Sequence, residues 1–214
     1  MKPDARTRIL DAALAEFVER GFEAASSNTI ARRAKVAKGL VFHHFGTKSD
    51  LYLAVADRIT ARLVEQIFEL EALPADLFER LLALAIQKLR VFQRDPLGYQ
   101  FLMATVDAPA PLQARLATNR DAYRAAAIPR VLDGLDASRL RPGITPAQAL
   151  DTMTLLALGL ERTIVAQLAE LPDRGLSRIA QITEEARVHF ERLRDGLYAA
   201  PRPARARRRR TRRS

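Results

Sequence analysis

The chain has 214 residues, of which 48% are hydrophobic, so it can bury a core as one domain or as one domain with a small appendage. Cysteine is absent, which excludes a disulfide framework, a thiolate metal site and a thiolate nucleophile. The formal net charge of +10 is typical of a nucleic-acid-binding protein. Because neither a signal peptide nor the run of about 20 apolar residues needed for a membrane span is evident, we expect a cytoplasmic protein without a membrane partner.

The N-terminal residues predict three short helices. The first begins after an Asp4 N-cap and ends at Gly21, which suits a C′ position because glycine tolerates positive φ. Its apolar stripe consists of Ile9, Leu10, Ala13, Leu14 and Phe17. Ser26 caps a second helix, a turn follows at residues 35–37, and a third helix runs from Lys38 to about His44.

The rest of the chain is also predicted to be helical, since Ala, Leu, Arg and Glu dominate and β-branched runs are few. Thr47 and Asp50 form a capping box that opens a fourth helix, which continues to Pro74 and is about 37 Å long. Thr145 and Gln148 form a second capping box. Further helices are predicted at 76–94, 96–106, 110–133, 146–170 and 174–198, with the main loop at 135–145.

The predicted helix 146–170 is apolar on more than one face. One stripe comprises Leu150, Met153, Ala157, Leu160, Ile164 and Leu168, while other faces carry Leu155, Leu156, Leu158 and Val165. A helix that is apolar nearly all round needs two partners, its own core and a second subunit. We therefore expect a homodimer formed through helices 146–170 and 174–198.

The positive charge is concentrated at the two ends of the chain. Lys and Arg against Asp and Glu number nine against six in residues 1–52, eighteen against nineteen in 53–201, and eight against none in 202–214. This distribution predicts a DNA-contacting head, a body with another task, and a disordered, self-repelling tail. We place their boundaries at 1–47, 48–198 and 199–214.

The head carries a long motif that identifies a family. Its residues are Arg8, Ile9, Leu10, Ala13, Phe17, Gly21, Phe22, Ile30, Ala31, Ala34, Val36, Lys38, Gly39, Phe42, His43, His44, Phe45, Gly46, Thr47, Lys48 and Leu51. With this motif, residues 8–52 resemble the TetR/AcrR family of bacterial repressors. The resemblance implies an all-α fold, with a three-helix helix-turn-helix head and a helical body for ligand binding and dimerisation.

Three positions depart from the family pattern. Lys35 stands at a turn position where the family usually has Gly, and a left-handed Lys costs roughly 1 kcal/mol or more relative to Gly. Ala37 replaces a Ser or Thr cap, and Phe42 replaces a Tyr whose hydroxyl could reach phosphate. These changes weaken the chemistry of the turn without contradicting the pattern.

The resemblance also implies which side chains contact DNA. Lys38 and His43 are candidates for base contacts in the major groove, as is Asn28 near the start of the second helix. His44 and Lys48 match phosphate-contacting positions, whereas Gly39 permits close packing. The complete predicted DNA-binding set is Ser26, Ser27, Asn28, Lys38, Gly39, Leu40, Phe42, His43, His44 and Lys48.

The body is expected to hold a small apolar ligand between its helices. Candidate walls are Phe68, Phe92, Tyr99, Phe101, Met103, Tyr123 and Met153, although a place in an ordinary core is the better interpretation for any one of them. A metal site is not expected, because adjacent His43 and His44 point about 100° apart on a helix and the third histidine, His189, is far along the chain. No cofactor is implied, and we expect no enzymatic activity because no catalytic motif is evident.

These features predict a nucleoid-associated, ligand-responsive transcriptional regulator, a repressor that binds a palindromic operator as a dimer and is released by its ligand. One alternative is an architectural or sequence-blind DNA-binding protein that depends on the basic tail and binds no ligand. Another is a helical module that uses the same tail at a membrane surface or on RNA. Sequence preference separates the first alternative from a regulator, since sequence-blind binding is weak and sensitive to salt.

Overall fold

A computed structural model describes residues 3–155, 159, 178, 181, 184, 187–189 and 191–194. Within them the fold is all-α, as predicted, and no strand occurs. The helices are α1 (Ala5–Ala24), α2 (Ser27–Ala34), α3 (Lys38–Phe45), α4 (Lys48–Ile67), α5 (Leu77–Arg94), α6 (Pro96–Ala104) and α7 (Ala110–Leu132). Short 3₁₀ turns lie at Thr105–Asp107 and Ala137–Arg139, and helix resumes over residues 146–155. The predicted tail lies outside the described residues. Of the predicted helix 146–170 only residues 146–155 and 159 are described, and of the predicted helix 174–198 only residues 178, 181, 184, 187–189 and 191–194.

Local capping explains where these helices begin. The Asp4 carboxylate accepts the N–H of Thr7 at 2.6 Å, and the Thr47 hydroxyl accepts the N–H of Asp50 at 3.1 Å. At Thr145 the predicted capping box is reciprocal, because its hydroxyl accepts the Gln148 N–H and its own N–H donates to the Gln148 side chain. Gly21 has the expected positive φ, 71°, which interrupts α1 before one more turn ends it.

The fourth helix ends at Ile67, so the predicted end at Pro74 is wrong. Phe68 leaves the helical conformation with ψ near 4°, and Phe68, Leu70 and Leu73 then pack against a core cluster of α5, α7 and the segment that follows it. Tertiary packing of these three side chains outweighs their helix propensity. With 20 residues, α4 is about 30 Å long rather than about 37 Å.

The head does not have a core of its own. Phe17 of α1, Tyr52 of α4 and Phe101 of α6 are all nearly inaccessible to solvent, and their ring centroids lie 4.9 to 6.4 Å apart. Leu112 and Leu116 of α7 belong to the same cluster. The three-helix head is therefore packed directly onto α6 and α7.

Polar contacts join α4 to α7 along their length. The Arg115 guanidinium is 3.1 Å from Asp50, the Asn119 amide donates to the Asp57 carboxylate at 2.7 Å, and Arg130 is 3.1 Å from Glu65. The two helices run parallel, because partners are separated by nearly the same number of residues at each contact. The position of α4, which follows the head, is thus tied to α7.

Candidate nucleic-acid interface

The turn between α2 and α3 depends on a strained residue. Lys35 has φ 55° and ψ 49°, and within the described residues it is the one non-glycine residue with positive φ. Its N–H is bonded to the end of α2, and the N–H of Val36 donates to the Ala31 carbonyl at 3.0 Å. The predicted turn is present, and Lys35 adopts the left-handed conformation that costs a residue with a Cβ more than it costs Gly.

Replacing Lys35 by Gly should stabilise the protein. Removal of the Cβ relieves the left-handed strain, although part of the gain is offset by the greater freedom of Gly in the unfolded chain. We expect the free energy of unfolding to rise by about 0.5–1 kcal/mol in urea titrations. Lys35→Ala is the control and should give no such rise; equal gains in both variants would show that loss of charge, not strain, is responsible.

Helix α3 divides cleanly into an inner and an outer face. Val41 and Phe45 are buried in the head, whereas five of its other residues are exposed and Leu40 is half-buried. The exposed residues are Lys38, Gly39, Phe42, His43 and His44. Phe42 is 39% exposed and its ring lies 5.9 Å from the Lys38 ammonium, so the outer face combines a cation, an aromatic ring and two imidazoles. Ala37 provides no side-chain cap, as the sequence predicts.

The start of α2 is fixed from α1. The Ser26 hydroxyl lies 3.5 Å from the N–H of Thr29, and the N–H of Ser26 itself donates to the Glu16 carboxylate at 3.1 Å. Glu16 is 3% exposed and lies 3.6 Å from Arg33, which also holds Glu19. Sequence reasoning missed Glu16; the available signal was an acidic residue next to Phe17 on the apolar face of α1.

The remaining predicted residues of α2 lie beside that fixed start. Ser27 is half-buried and Asn28 is exposed at the N-terminal end of the helix. The structure therefore leaves Asn28 accessible to a partner, while Ser26 and Ser27 are partly covered. Backbone N–H groups at this end of α2 favour an anion such as phosphate.

The side chain of Lys48, predicted to contact phosphate, also makes contacts within the protein. Its ammonium donates to the carbonyl oxygens of Glu23 at 3.0 Å and Ala25 at 3.5 Å, and lies 4.7 Å from the centroid of the Phe22 ring. These contacts satisfy carbonyls at the end of α1, where a cation is electrostatically favoured. An ammonium has three protons, so one remains available for a phosphate oxygen.

The beginning of α4 is held by Asp50. Its carboxylate accepts the Thr47 hydroxyl at 2.6 Å and lies 3.1 Å from Arg115 of α7. The hydrogen bond from Thr47, and then that from Arg115, lower the pKa of the Asp50 carboxyl below its ordinary value. The ionised carboxylate thus joins the head to the body at the point where α4 starts.

The contribution of Asp50 to stability should depend on pH. Because the folded pKa is lower than the unfolded one, its contribution is complete above the unfolded pKa of about 4 and is lost as pH falls through the folded value. The loss of unfolding free energy in Asp50→Asn should therefore be larger at pH 6 than at pH 3 in urea titrations. Asp121→Asn, in an exposed pair with Arg124, is the control and should show a smaller effect throughout; a pH-independent loss in Asp50→Asn would contradict the assignment.

The structure does not bring the predicted pocket residues together. Phe101 lies in the core shared with the head. Phe68 packs against the core cluster of α5, α7 and the segment after α7, with the Arg130 guanidinium over its ring. The Tyr123 hydroxyl donates to the Asp57 carbonyl. Met153 is buried in the segment after residue 145. Phe92, Tyr99 and Met103 do form one cluster, in which the first two rings are 4.8 Å apart.

Two of these residues, Phe92 and Tyr99, line the inner end of a cleft between α4, α5 and α6. The outer part of the cleft has a volume of about 290 Å³ and its walls are largely polar. Among the described residues no group of three or more His, Asp or Glu is arranged to hold a metal ion. No helix in that part of the chain is long and apolar enough to cross a membrane.

An exposed second helix in a helix-turn-helix, beside a helical body, is the arrangement typical of the helix-turn-helix class of DNA-binding proteins. Residues 9–55 match the family model described as "Bacterial regulatory proteins, tetR family". The N-terminal part of the chain is therefore similar to this family over the residues that carry the motif.

Named relatives match only part of the chain. The HTH-type transcriptional repressor Rv3405c of Mycobacterium tuberculosis is 50% identical over 74 residues, which is 35% of this chain and 38% of the repressor. The HTH-type transcriptional activator FasR of Mycolicibacterium smegmatis is 34% identical over 101 residues, 47% of this chain and 46% of the activator. The chain therefore matches less than half the length of these relatives.

The fold as a whole has a wider likeness. The crystal structure of a putative tetR family transcription regulator from Shewanella sp. PV-4 aligns with a TM-score of 0.66 and 22% identity, covering 92% of this chain and all of that one. At this identity the likeness establishes the fold. The predicted all-α architecture with an N-terminal helix-turn-helix is confirmed.

Proposed function

We propose that this protein is a ligand-responsive transcriptional repressor that binds a palindromic operator as a homodimer. The observation that carries the proposal is the outer face of α3, where Lys38, Phe42 and His43 are exposed together on a helix of the size that enters a major groove. The named relatives are transcriptional regulators, one a repressor and one an activator. Such a protein acts at the chromosome, in the cytoplasm, without a catalytic step.

The proposal assigns separate tasks to the parts of the chain. The head at 1–47 binds the operator, the body at 48–198 binds the effector, and helices 146–170 and 174–198 form the dimer. Its support in the structure is the direct packing of the head on α6 and α7, through which a change in the body can reach α3. Two heads related by a two-fold axis would meet two half-sites one helical turn apart.

Lys38 and Lys48 should affect DNA binding differently. Lys38 is exposed at the start of α3 and is proposed to contact a base, so Lys38→Ala should cost roughly 1–3 kcal/mol on the operator and relax preference at one base position. Lys48 positions the head, so Lys48→Ala should weaken binding by a similar factor on every sequence. Selection of bound sequences from a random pool, followed by titration of the parent and both variants, measures the two effects.

Lys48→Ala also removes the contacts to Glu23 and Ala25, so its stability must be followed in parallel. Lys48→Arg is the matched variant, because it keeps the charge beside the same carbonyls. An unchanged sequence profile in Lys38→Ala would remove the base-reading assignment; a changed profile in Lys48→Ala would show that it does more than position the head.

The tail raises the competing function of a sequence-blind DNA-binding protein, because eight Arg lie in residues 202–214 without an acidic residue. We expect the tail to add affinity without choosing the site. If its arginines neutralise phosphates, the slope of log K against log salt should be steeper by several units in the full chain than in a chain ending at Ala200, at about 0.9 per contact.

Truncation at Ala200 should lower the affinity for operator and for random DNA by similar factors, so that their ratio is kept. Equal slopes in the two proteins would show that the tail makes no phosphate contacts. Loss of the preference for operator on truncation would instead show that the tail takes part in sequence recognition, contrary to the assignment to α3.

A further inference from the structure

The cleft between α4, α5 and α6 has charged walls at its mouth. Arg62 of α4, Arg94 at the end of α5 and Asp95 at the N-cap of α6 line the outer part, together with Glu69 and the buried Gln87. The charges of the two arginines and the two carboxylates cancel. This lining differs from the apolar site that the sequence suggests.

Asp95 is shared between two helices. One carboxylate oxygen accepts the N–H of Gly98 at 3.0 Å and so caps α6, while the other is paired with the Arg62 guanidinium. The carboxylate lies so close to residue 98 that a Cβ there would clash with it, which explains the glycine at this position. The side chain of Arg94, the residue before Asp95, has no hydrogen bond or ion pair among the described residues.

We propose that the cleft binds a small organic carboxylate, which takes Arg62 from Asp95 and is held jointly by Arg94. The proposal names the chemical class of the effector and therefore rests on the regulator function proposed above. A planar guanidinium suits a carboxylate, and Arg62 already holds one in this structure. When Asp95 releases Arg62, the guanidinium groups of Arg62 and Arg94 both become available at the mouth of the cleft, where they attract an anion.

The size and lining of the cleft restrict the rest of the ligand. Its outer volume of about 290 Å³ is at the lower end for small-molecule sites, and the inner end beside Phe92 and Tyr99 has only about 10 Å³ free. Val91 forms an apolar wall between the two parts. A short aromatic or aliphatic acid fits these dimensions.

Binding of this kind also supplies a route to the head. The Arg62–Asp95 pair ties α4 to the beginning of α6, and α6 carries Phe101 into the core of the head, 4.9 Å from the Tyr52 ring. A carboxylate that binds only where Asp95 has released Arg62 shifts the population toward the state without this tie. The effector thereby acts on the relative position of α4 and α6.

The first test uses benzoate, phenylacetate and hexanoate, each compared with its neutral amide and with inorganic phosphate, on the full chain. The three carboxylates should raise the Tm saturably, because they bind the folded state, whereas the amides and phosphate should not. Arg62→Met and Arg94→Met should each weaken carboxylate binding at least tenfold. Arg90→Met, exposed on α5 outside the cleft, is the control and should bind as the parent does.

Asp95→Asn tests the competition directly. Asn still caps α6 but pairs weakly with Arg62, so this variant should bind the carboxylates about tenfold more tightly than the parent and the operator more weakly in their absence. Amides or phosphate that bind as well as carboxylates, no tighter binding by Asp95→Asn, or no shift with any probe at 50 mM would each overturn the inference.

These outcomes are distinct from failure of the proposed function. A parent protein that selects an operator but ignores every carboxylate retains its function as a DNA-binding regulator and loses the site. If carboxylates compete with Asp95 but leave operator affinity unchanged, the cleft is a carboxylate-binding site and is not the effector site.

Discussion

The contact on which the structure most depends is the packing of Phe101 from α6 against Phe17 of α1 and Tyr52 of α4. A head of about 45 residues buries too little apolar surface to be stable alone, and here α6 and α7 complete its core. Because close-packed side chains resist small displacements, movement of α6 cannot leave the head where it was. The position of α3, the helix proposed to bind DNA, is therefore physically linked to the arrangement of the body.

Two independent sets of contacts reach the head from the body. One is this aromatic core; the other is the series of polar links between the parallel helices α4 and α7, which begins with Arg115 and Asp50 at the first turn of α4. The polar links are largely exposed and each is weak, whereas the aromatic core is buried. The core fixes the position of the head, and the polar links set the register of α4 against α7.

Much of the fold could be predicted because its signals are local. The caps at Asp4, Ser26, Thr47 and Thr145 involve residues three positions apart, and the turn at residues 35–37 follows from the spacing of the two short helices. The sequence could not give the end of α4, because Phe68, Leu70 and Leu73 leave the helix to pack against residues far along the chain. Helix propensity contains no information about such partners.

The same distinction applies to the candidate sites. The exposed face of α3 could be predicted from the motif. The role of Phe101 could not, because hydrophobic periodicity shows that a residue is buried without showing which core it joins. The polar cleft could not be predicted because Arg62 and Asp95 are separated by 33 residues, and each residue taken by itself is typical of a solvated surface charge. Arg80 is a further residue whose role could not be predicted from local sequence. Its side chain is 2% exposed and donates to the carbonyls of Val131 and Asp133 at the end of α7, and no local pattern indicates these partners.

Lys48 stabilises the fold of the head and is also a candidate residue for contact with DNA phosphate. Its ammonium spans the end of α1 and the segment before α2, through the carbonyls of Glu23 and Ala25, while its backbone begins α4. Hydrogen bonding to neutral carbonyls leaves the positive charge intact, so the same group that holds these segments together also presents a cation beside the N-terminal end of α2. An anion that binds there would find the Lys48 ammonium already held in place. The conformational entropy of this side chain is lost when the protein folds, so it is not lost again when an anion binds.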